Sequence, residues 1–173
     1  MNERFTWATI ILDIKPPDRV LEIGCGAGIL VEQMAEKIRS GRITAIDRSA
    51  GMISMASKRN ARFISAGKVK LITGDFTDSR FQKSEFKKIV AFNVNFFWKD
   101  PKQELRIIKK ILKPGGELYI FYQAPFDIDI TAAEPIKEKL EENYFEITET
   151  ILKTMKPTSV FCIKATSKLT DKT

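Results

Sequence analysis

The chain has 173 residues, 43% apolar and 29% charged, which suits one soluble domain with a full core and contains no run near the ~18 apolar residues of a membrane span. Lysine and arginine outnumber aspartate and glutamate by 29 to 22, a net +7, but the excess is scattered: its densest set, Lys102, Arg106, Lys109, Lys110 and Lys113, falls at the spacing of a solvated helix face, so nucleic acid is the less favoured partner. There is no histidine and the two cysteines, Cys25 and Cys162, lie far apart, which argues against a zinc site and for reduced thiols in a cytoplasmic protein; the opening MNERFTWATIILD has acids and no small-residue cleavage site, unlike a signal peptide.

Residues 3 to 13 can form a helix that Pro16 and Pro17 end. Val20 to Ile23 reads as a buried strand. Ile29 to Ser40 reads as a helix with Leu30, Met34 and Ile38 on one face, and Ile43 to Ile46 as a second strand. Ser49 can cap a helix carrying Met52, Ile53 and Met55. Val69 to Thr73 and Lys88 to Phe92 are the third and fourth strands. Asp100, Pro101 and Gln103 predict a helix start, with an N-cap acid, proline at the first turn and an amide three residues past the cap. That helix runs to about Leu112 and stops at Lys113-Pro114-Gly115-Gly116, before a fifth strand at Glu117 to Tyr122. A helix at Pro135 to Asn143 follows. Phe145 to Leu152 and Ser159 to Ala165 have no helical pattern between them and should pair as an antiparallel hairpin. Strand–helix alternation at this spacing predicts a mostly parallel sheet of seven strands with helices on both faces, and ligands bound beyond the carboxyl ends of its strands.

Three glycines, Gly24, Gly26 and Gly28, recur at every second position in VLEIGCGAGIL, directly after the first strand. Glycine removes the side chain where a ligand must approach the main chain. The dinucleotide fingerprint G-x-G-x-x-G/A does not fit, because Ile29 stands at its third small position. Asp47 ends the second strand, 19 residues after Gly28, where a carboxylate can accept both hydroxyls of a ribose. Asp75, beside Phe76 after the third strand, suits an adenine, the acid taking the exocyclic amine and the ring lying against the aromatic. Asn93 follows the fourth strand. No phosphate-binding lysine motif is present, so the crevice reads as built for a nucleoside with a cationic part, which Glu22 and strand-end carbonyls would attract.

Taken together, Glu22-Ile-Gly24-Cys25-Gly26-Ala-Gly28, Ala45-Ile-Asp47-Arg48-Ser49, Gly74-Asp75-Phe76, Phe92-Asn93-Val94-Asn95 and Leu112-Lys-Pro114-Gly115-Gly116 resemble the ordered motifs of the class I S-adenosylmethionine-dependent methyltransferases. The resemblance covers about residues 18 to 165. It implies a Rossmann-like fold and S-adenosyl-L-methionine as cofactor. The implied cofactor residues are Glu22, Gly24, Cys25, Gly26, Gly28, Asp47, Arg48, Met52, Asp75, Phe76 and Asn93. Within them, Gly24 and Gly26 approach the methionine part, Glu22 and the Asn93 carbonyl its ammonium, Asp47 the ribose and Asp75 the adenine amine. Arg48 and Phe76 cover the ring, Arg48 replacing the commoner apolar stacker with a guanidinium that can lie flat on a purine. The implied domains are an N-terminal helix or lid at 1–17, the cofactor domain at 18–166 and a polar tail at 167–173.

The acceptor is not named by these motifs. The segment FNVNFFWKD lacks the Asn/Asp-Pro-Pro-aromatic run of amino-methylating nucleic-acid enzymes and offers Phe96, Phe97 and Trp98 instead. Phe5 and Trp7 can fold over the same mouth, and Tyr122 ends the fifth strand; these six are the expected acceptor-side residues. No long insertion follows the fourth or fifth strand, so either the substrate is small or a second subunit supplies the lid. The reading favoured is methyl transfer to a small molecule, driven by alignment. The alternatives are a nucleic-acid or protein acceptor, a dehydrogenase using NAD, and a cofactor-binding module without catalysis. Without histidine no imidazole can act as base; a protein base would have to be Asp127, Asp129, Tyr122 or Cys25 with a displaced pKa.

Overall fold

The computed structural model describes residues 3–168, so most of the expected polar tail lies outside the described residues. Seven strands form one sheet in the order β3-β2-β1-β4-β5-β7-β6. They are β1 (Arg19–Ile23), β2 (Arg42–Asp47), β3 (Val69–Thr73), β4 (Phe86–Phe92), β5 (Leu112–Gln123), β6 (Phe145–Lys153) and β7 (Val160–Ser167). The strands β3, β2, β1, β4 and β5 pair in parallel, and β7 runs antiparallel to both β5 and β6. The terminal hairpin therefore inserts its second strand against β5 and leaves β6 at the edge.

Helices cover both faces. On one face α1 (Glu3–Leu12), α2 (Ile29–Lys37), α3 (Ala50–Arg59) and the short α4 (Ala61–Ser65) lie against the sheet. Their core joins Leu12, Leu30, Met34 and Ile38 to Val20, Ile43 and Val90, each fully buried. On the other face α5 (Lys102–Ile111) and α6 (Glu134–Glu142) bring Leu105, Ile108, Ile136 and Leu140 onto Leu21, Ile89, Leu118 and Phe145. The strand order reverses between β1 and β4, and a crevice opens there beyond the carboxyl ends, where such sheets bind ligands. Among the described residues no helix is long and apolar enough to cross a membrane.

Several boundaries differ from the sequence expectation. The second helix ends at Lys37, not Ser40: Ile38 turns extended yet stays buried, and the Pro16 carbonyl takes the N–H groups of Arg39, Ser40 and Gly41. The Asp100–Gln103 cap does not form. Pro101 is the N-cap and makes no side-chain cap bond, its carbonyl accepting from Leu105 N–H at 2.8 Å, while Asp100 pairs with Lys102 at 3.5 Å. The cause is local: Asn95–Trp98 winds into a 3-10 turn and Lys99 leaves it at ψ −130°, delaying helix entry. The Lys113–Gly116 segment is part of β5, joined to β4 across a register shift between Phe86 and Lys88.

Candidate functional site

The crevice has a cavity volume of about 450 Å³ and gathers Gly24, Asp47, Arg48, Asp75, Phe76, Asn93 and Phe96 from the ends of β1 to β4. That volume suits a small organic ligand. Ile23, Ile46, Gly74, Val94, Asn95, Lys99 and Glu104 complete the lining.

All three glycines after β1 have left-handed backbone, with φ of 72° at Gly24, 51° at Gly26 and 73° at Gly28, a region where Cβ is penalised. Their surroundings differ. A Cβ on Gly24 would lie 2.9 Å from Val94 Cγ2, and one on Gly28 2.7 Å from Asn60 Nδ2, whereas nothing stands within 4 Å of one on Gly26. Gly28 is thus turned to α3, and only Gly26 faces open space. The loop is pinned by β2: the Gly24 and Cys25 N–H groups both donate to the Ile46 carbonyl, at 2.8 and 3.1 Å. Asp47 ties the next turn, its Oδ2 accepting from Gly26 N–H at 2.8 Å and its Oδ1 from Ser49 N–H at 2.9 Å. Each oxygen keeps a lone pair for a ligand. Met52 lies on the exposed side of α3, its N–H donating to the Ser49 cap at 3.3 Å, and does not line the crevice.

Glu22 sits under the loop on β1, 2% exposed, and its Oε2 has no hydrogen-bond partner. Burial first, and the negative charge of Asp47 second, push its carboxyl up to about 8. A buried acid with an unpartnered oxygen is uncommon and makes Glu22 a candidate for ligand recognition. Asp75 is exposed; Thr77 donates to its Oδ1 from both N–H and hydroxyl, which holds the carboxyl below its usual range. Phe76 is buried and lies nearly parallel to Phe96, with ring centroids 6.3 Å apart at 14°. Asn93 has φ 54°, and its side chain is locked to β5, accepting from Gln123 N–H at 2.8 Å and donating to the Gln123 carbonyl at 3.1 Å. A non-glycine residue held in this region is strained and typical of functional loops.

Of the six aromatics expected at the acceptor side, only Phe96 lines the crevice. Phe5 stands edge-on to Phe92 at 5.1 Å and Trp7 edge-on to Phe121 at 5.6 Å, fixing α1 on the sheet. Phe97 is 1% exposed within the core under α5 and α6. Trp98 and Tyr122 meet at 4.7 Å and both pack on Phe161. Burial drives the Cys25 thiol far above its usual value, and the exposed Asp129 carboxyl is held low by the Thr131 it caps, so neither is poised near neutrality. The acid raised into that range is Glu22. Val94 and Asn95 belong to the quoted fourth-strand motif, and with Lys99 they reach the crevice through the 3-10 turn, which leaves no periodic signal, while Glu104 comes from the first turn of α5. Among the described residues no three His, Cys, Asp or Glu side chains cluster as metal ligands.

Comparison with known proteins agrees with this fold. A family model described as a methyltransferase domain matches residues 20–116. An uncharacterised methyltransferase of Bacillus subtilis (strain 168), YdaC, is 30% identical over 133 residues, 77% of this chain and 69% of that protein. Other curated relatives are longer: the chain spans 25%, 34% and 54% of three that match at 28–34% identity. Among solved structures, the [4+2]-cyclase SpnF superposes with TM-score 0.78 at 16% identity, covering 97% of this chain and 82% of that one. A methyltransferase from Thiobacillus denitrificans, in complex with S-adenosyl-L-homocysteine, superposes with TM-score 0.71 at 14% identity, covering 97% and 92%. At these identities the two structures speak for the fold alone.

Proposed function

The chain belongs to the methyltransferase-domain family and is a class I S-adenosylmethionine-dependent methyltransferase, and on that premise we propose that it methylates a small-molecule acceptor at the crevice described above. When bound, the cofactor supplies a methyl group on a sulfonium, ready for in-line displacement. The observation that carries the site assignment is the single crevice in which Gly24, Asp47, Asp75 and Asn93 succeed one another along the carboxyl edge of the sheet. Asp47 offers its two remaining lone-pair positions to the ribose hydroxyls, and Asp75 its Oδ2 to the adenine amine. Phe76 and Arg48 flank the ring, and the open Cβ side of Gly26 admits the amino-acid part. Glu22, with its unpartnered oxygen, and the Asn93 carbonyl face the ammonium. Gly28 serves the scaffold, seating α2 on α3, and Met52 stands outside the crevice lining.

Two features support a small acceptor. The connections after β4 and β5, residues 93–101 and 124–133, hold only short turns and no substrate domain. The side chains at the crevice rim mix apolar Phe96 and Val94 with polar Asn95 and the single charges of Lys99 and Glu104. Alignment of the acceptor supplies the rate, and the acceptor's own ionisation sets the pH profile, in keeping with a Cys25 thiol that burial raises and an Asp129 carboxyl that Thr131 holds low. Calorimetry is expected to show binding of S-adenosylmethionine and S-adenosylhomocysteine and none of NAD; NAD binding alone would overturn the crevice assignment. Transfer of labelled methyl to metabolite pools tests the acceptor, and label found only in RNA or protein would reject it.

Asp47→Ala tests the ribose role. The loss of a charged acceptor should weaken S-adenosylhomocysteine binding by roughly 1.5–3 kcal/mol. The same carboxylate ties Gly26 and Ser49, so thermal unfolding of the free variant must be measured alongside. A variant with native affinity would reject the assignment.

A further inference from the structure

We infer that Lys99 and Glu104 select a zwitterionic acceptor, one small molecule carrying both an ammonium and a carboxylate, and this rests on the small-acceptor reading just given. Both side chains line the crevice. Two other acids of that lining are already engaged by the protein: Asp47 accepts from Gly26 and Ser49, and Asp75 accepts from Thr77. Lys99 and Glu104 are not. Among the described residues neither enters an ion pair, with the other or with any third side chain. The charges between them in sequence are no help, because Asp100 and Lys102 pair with each other at 3.5 Å. One cavity therefore faces two opposite charges that the fold leaves unneutralised.

The backbone holds both charges in fixed places. Lys99 leaves the 3-10 turn with its N–H donating to the Phe96 carbonyl at 3.0 Å, and the Trp98 carbonyl just before it accepts from Lys139 Nζ on α6 at 2.8 Å. The buried Pro101 then leads into α5, whose Leu105 and Ile108 are core and whose half-buried Glu104 reaches the crevice. The helix dipole favours an acid in this first turn, but it gives no reason for a lysine facing the same space. Phe96 and Val94 add apolar wall to that space. Two opposite charges that do not pair, beside one apolar wall, suit a ligand that bridges them, its ammonium on Glu104 and its carboxylate on Lys99. Near neutral pH both groups of such a ligand are ionised. Each exchanges water for a charge-assisted hydrogen bond, whereas a molecule with one charge leaves the other side chain without a partner.

The test loads the native protein with S-adenosylhomocysteine and titrates a panel of free amino acids with apolar or no side chains. Each is run beside its amide, which lacks the carboxylate, and its N-acetyl form, which lacks the ammonium. Calorimetry is the readout, so turnover is not needed. At least one amino acid is expected to bind more tightly than both analogues by about tenfold or more, the scale of hydrogen bonds to charged groups. Glu104→Gln should then abolish the preference over the N-acetyl form and keep the preference over the amide, and Lys99→Met should do the reverse. General damage to the crevice does not give this crossed pattern. Failure of the native protein to bind S-adenosylhomocysteine would overturn the cofactor reading and this inference with it. A panel in which no amino acid exceeds both of its analogues, or preferences that survive both substitutions, would sink this inference and leave the cofactor reading standing. Variants that lose about tenfold or more in affinity for S-adenosylhomocysteine itself, again the scale of a charged hydrogen bond, would assign the pair to the cofactor and likewise overturn it. The native panel needs no variant, so it can decide against the inference even if a substituted protein does not fold.

Discussion

Gly28→Ala is expected to destabilise the protein by roughly 2–5 kcal/mol, combining the strain of a left-handed non-glycine residue with overpacking. The residue has φ 73°, and a Cβ there would stand 2.7 Å from Asn60 Nδ2, 2.8 Å from Ala56 Cβ and 3.1 Å from Ala56 Cα. These neighbours cannot withdraw. Ala56 is fully buried on α3, and Asn60, also fully buried, donates from Nδ2 to the carbonyls of Gly28 and Ala56 at 3.0 Å each. Gly26→Ala is the control. Its φ of 51° carries a similar backbone strain, but nothing lies within 4 Å of its Cβ, so its stability loss should stay near 1–2 kcal/mol while S-adenosylhomocysteine affinity suffers. Denaturant unfolding and ligand titration of both variants measure the contrast. Equal stability losses, or a Gly28→Ala protein as stable as the native one, would refute this division of labour within the loop.

That division shows what the sequence could and could not convey. The alternation of strands and helices, the terminal hairpin and the order of the acids along the strand ends were all legible, because each is a periodic or punctuated signal. The three glycines look alike in sequence, since all share the need for positive φ. Their roles are decided by neighbours far along the chain: Val94 for Gly24 and Ala56 for Gly28. The rings of Phe97, Trp98 and Tyr122 likewise sat beside the fourth- and fifth-strand motifs, yet α6 and β7 cover that side of the sheet, and packing claims all three. Phe5 and Trp7 are held by Phe92 and Phe121 rather than left free to close.

Glu22 was legible as an acid inside an apolar strand, but its energetic consequence required the fold. Its carboxyl has an ordinary value of 4.5 and is raised to about 8 in the folded protein, by burial and by Asp47. Below the lower value it is protonated in both states and contributes nothing to pH dependence. Between the two, the unfolded chain releases its proton first, the folded protein binds more protons, and stability falls as pH rises by up to about 1.4 kcal/mol per pH unit. Above about pH 8 the whole loss, roughly 4–5 kcal/mol by the same relation, is present. Glu22→Gln keeps the shape and cannot ionise. It is therefore expected to match the native protein near pH 4 and to exceed its stability by several kcal/mol at about pH 9. The acids held low, Asp75 and Glu117, act at the acidic end and leave this window to Glu22. An ammonium placed against the carboxylate would offset the loss, so the stabilisation that S-adenosylhomocysteine gives should grow from about pH 5 to pH 8 in the native protein and stay flat in Glu22→Gln. Denaturant unfolding across pH, with and without S-adenosylhomocysteine, measures both effects. A Glu22→Gln protein with the native pH slope would show that Glu22 is not held neutral by the fold. A native slope removed by the substitution, but with ligand stabilisation unchanged in either protein, would separate the buried acid from ammonium recognition. On the proposed reading, the site stores instability at the position where the cofactor's ammonium would bring the compensating charge.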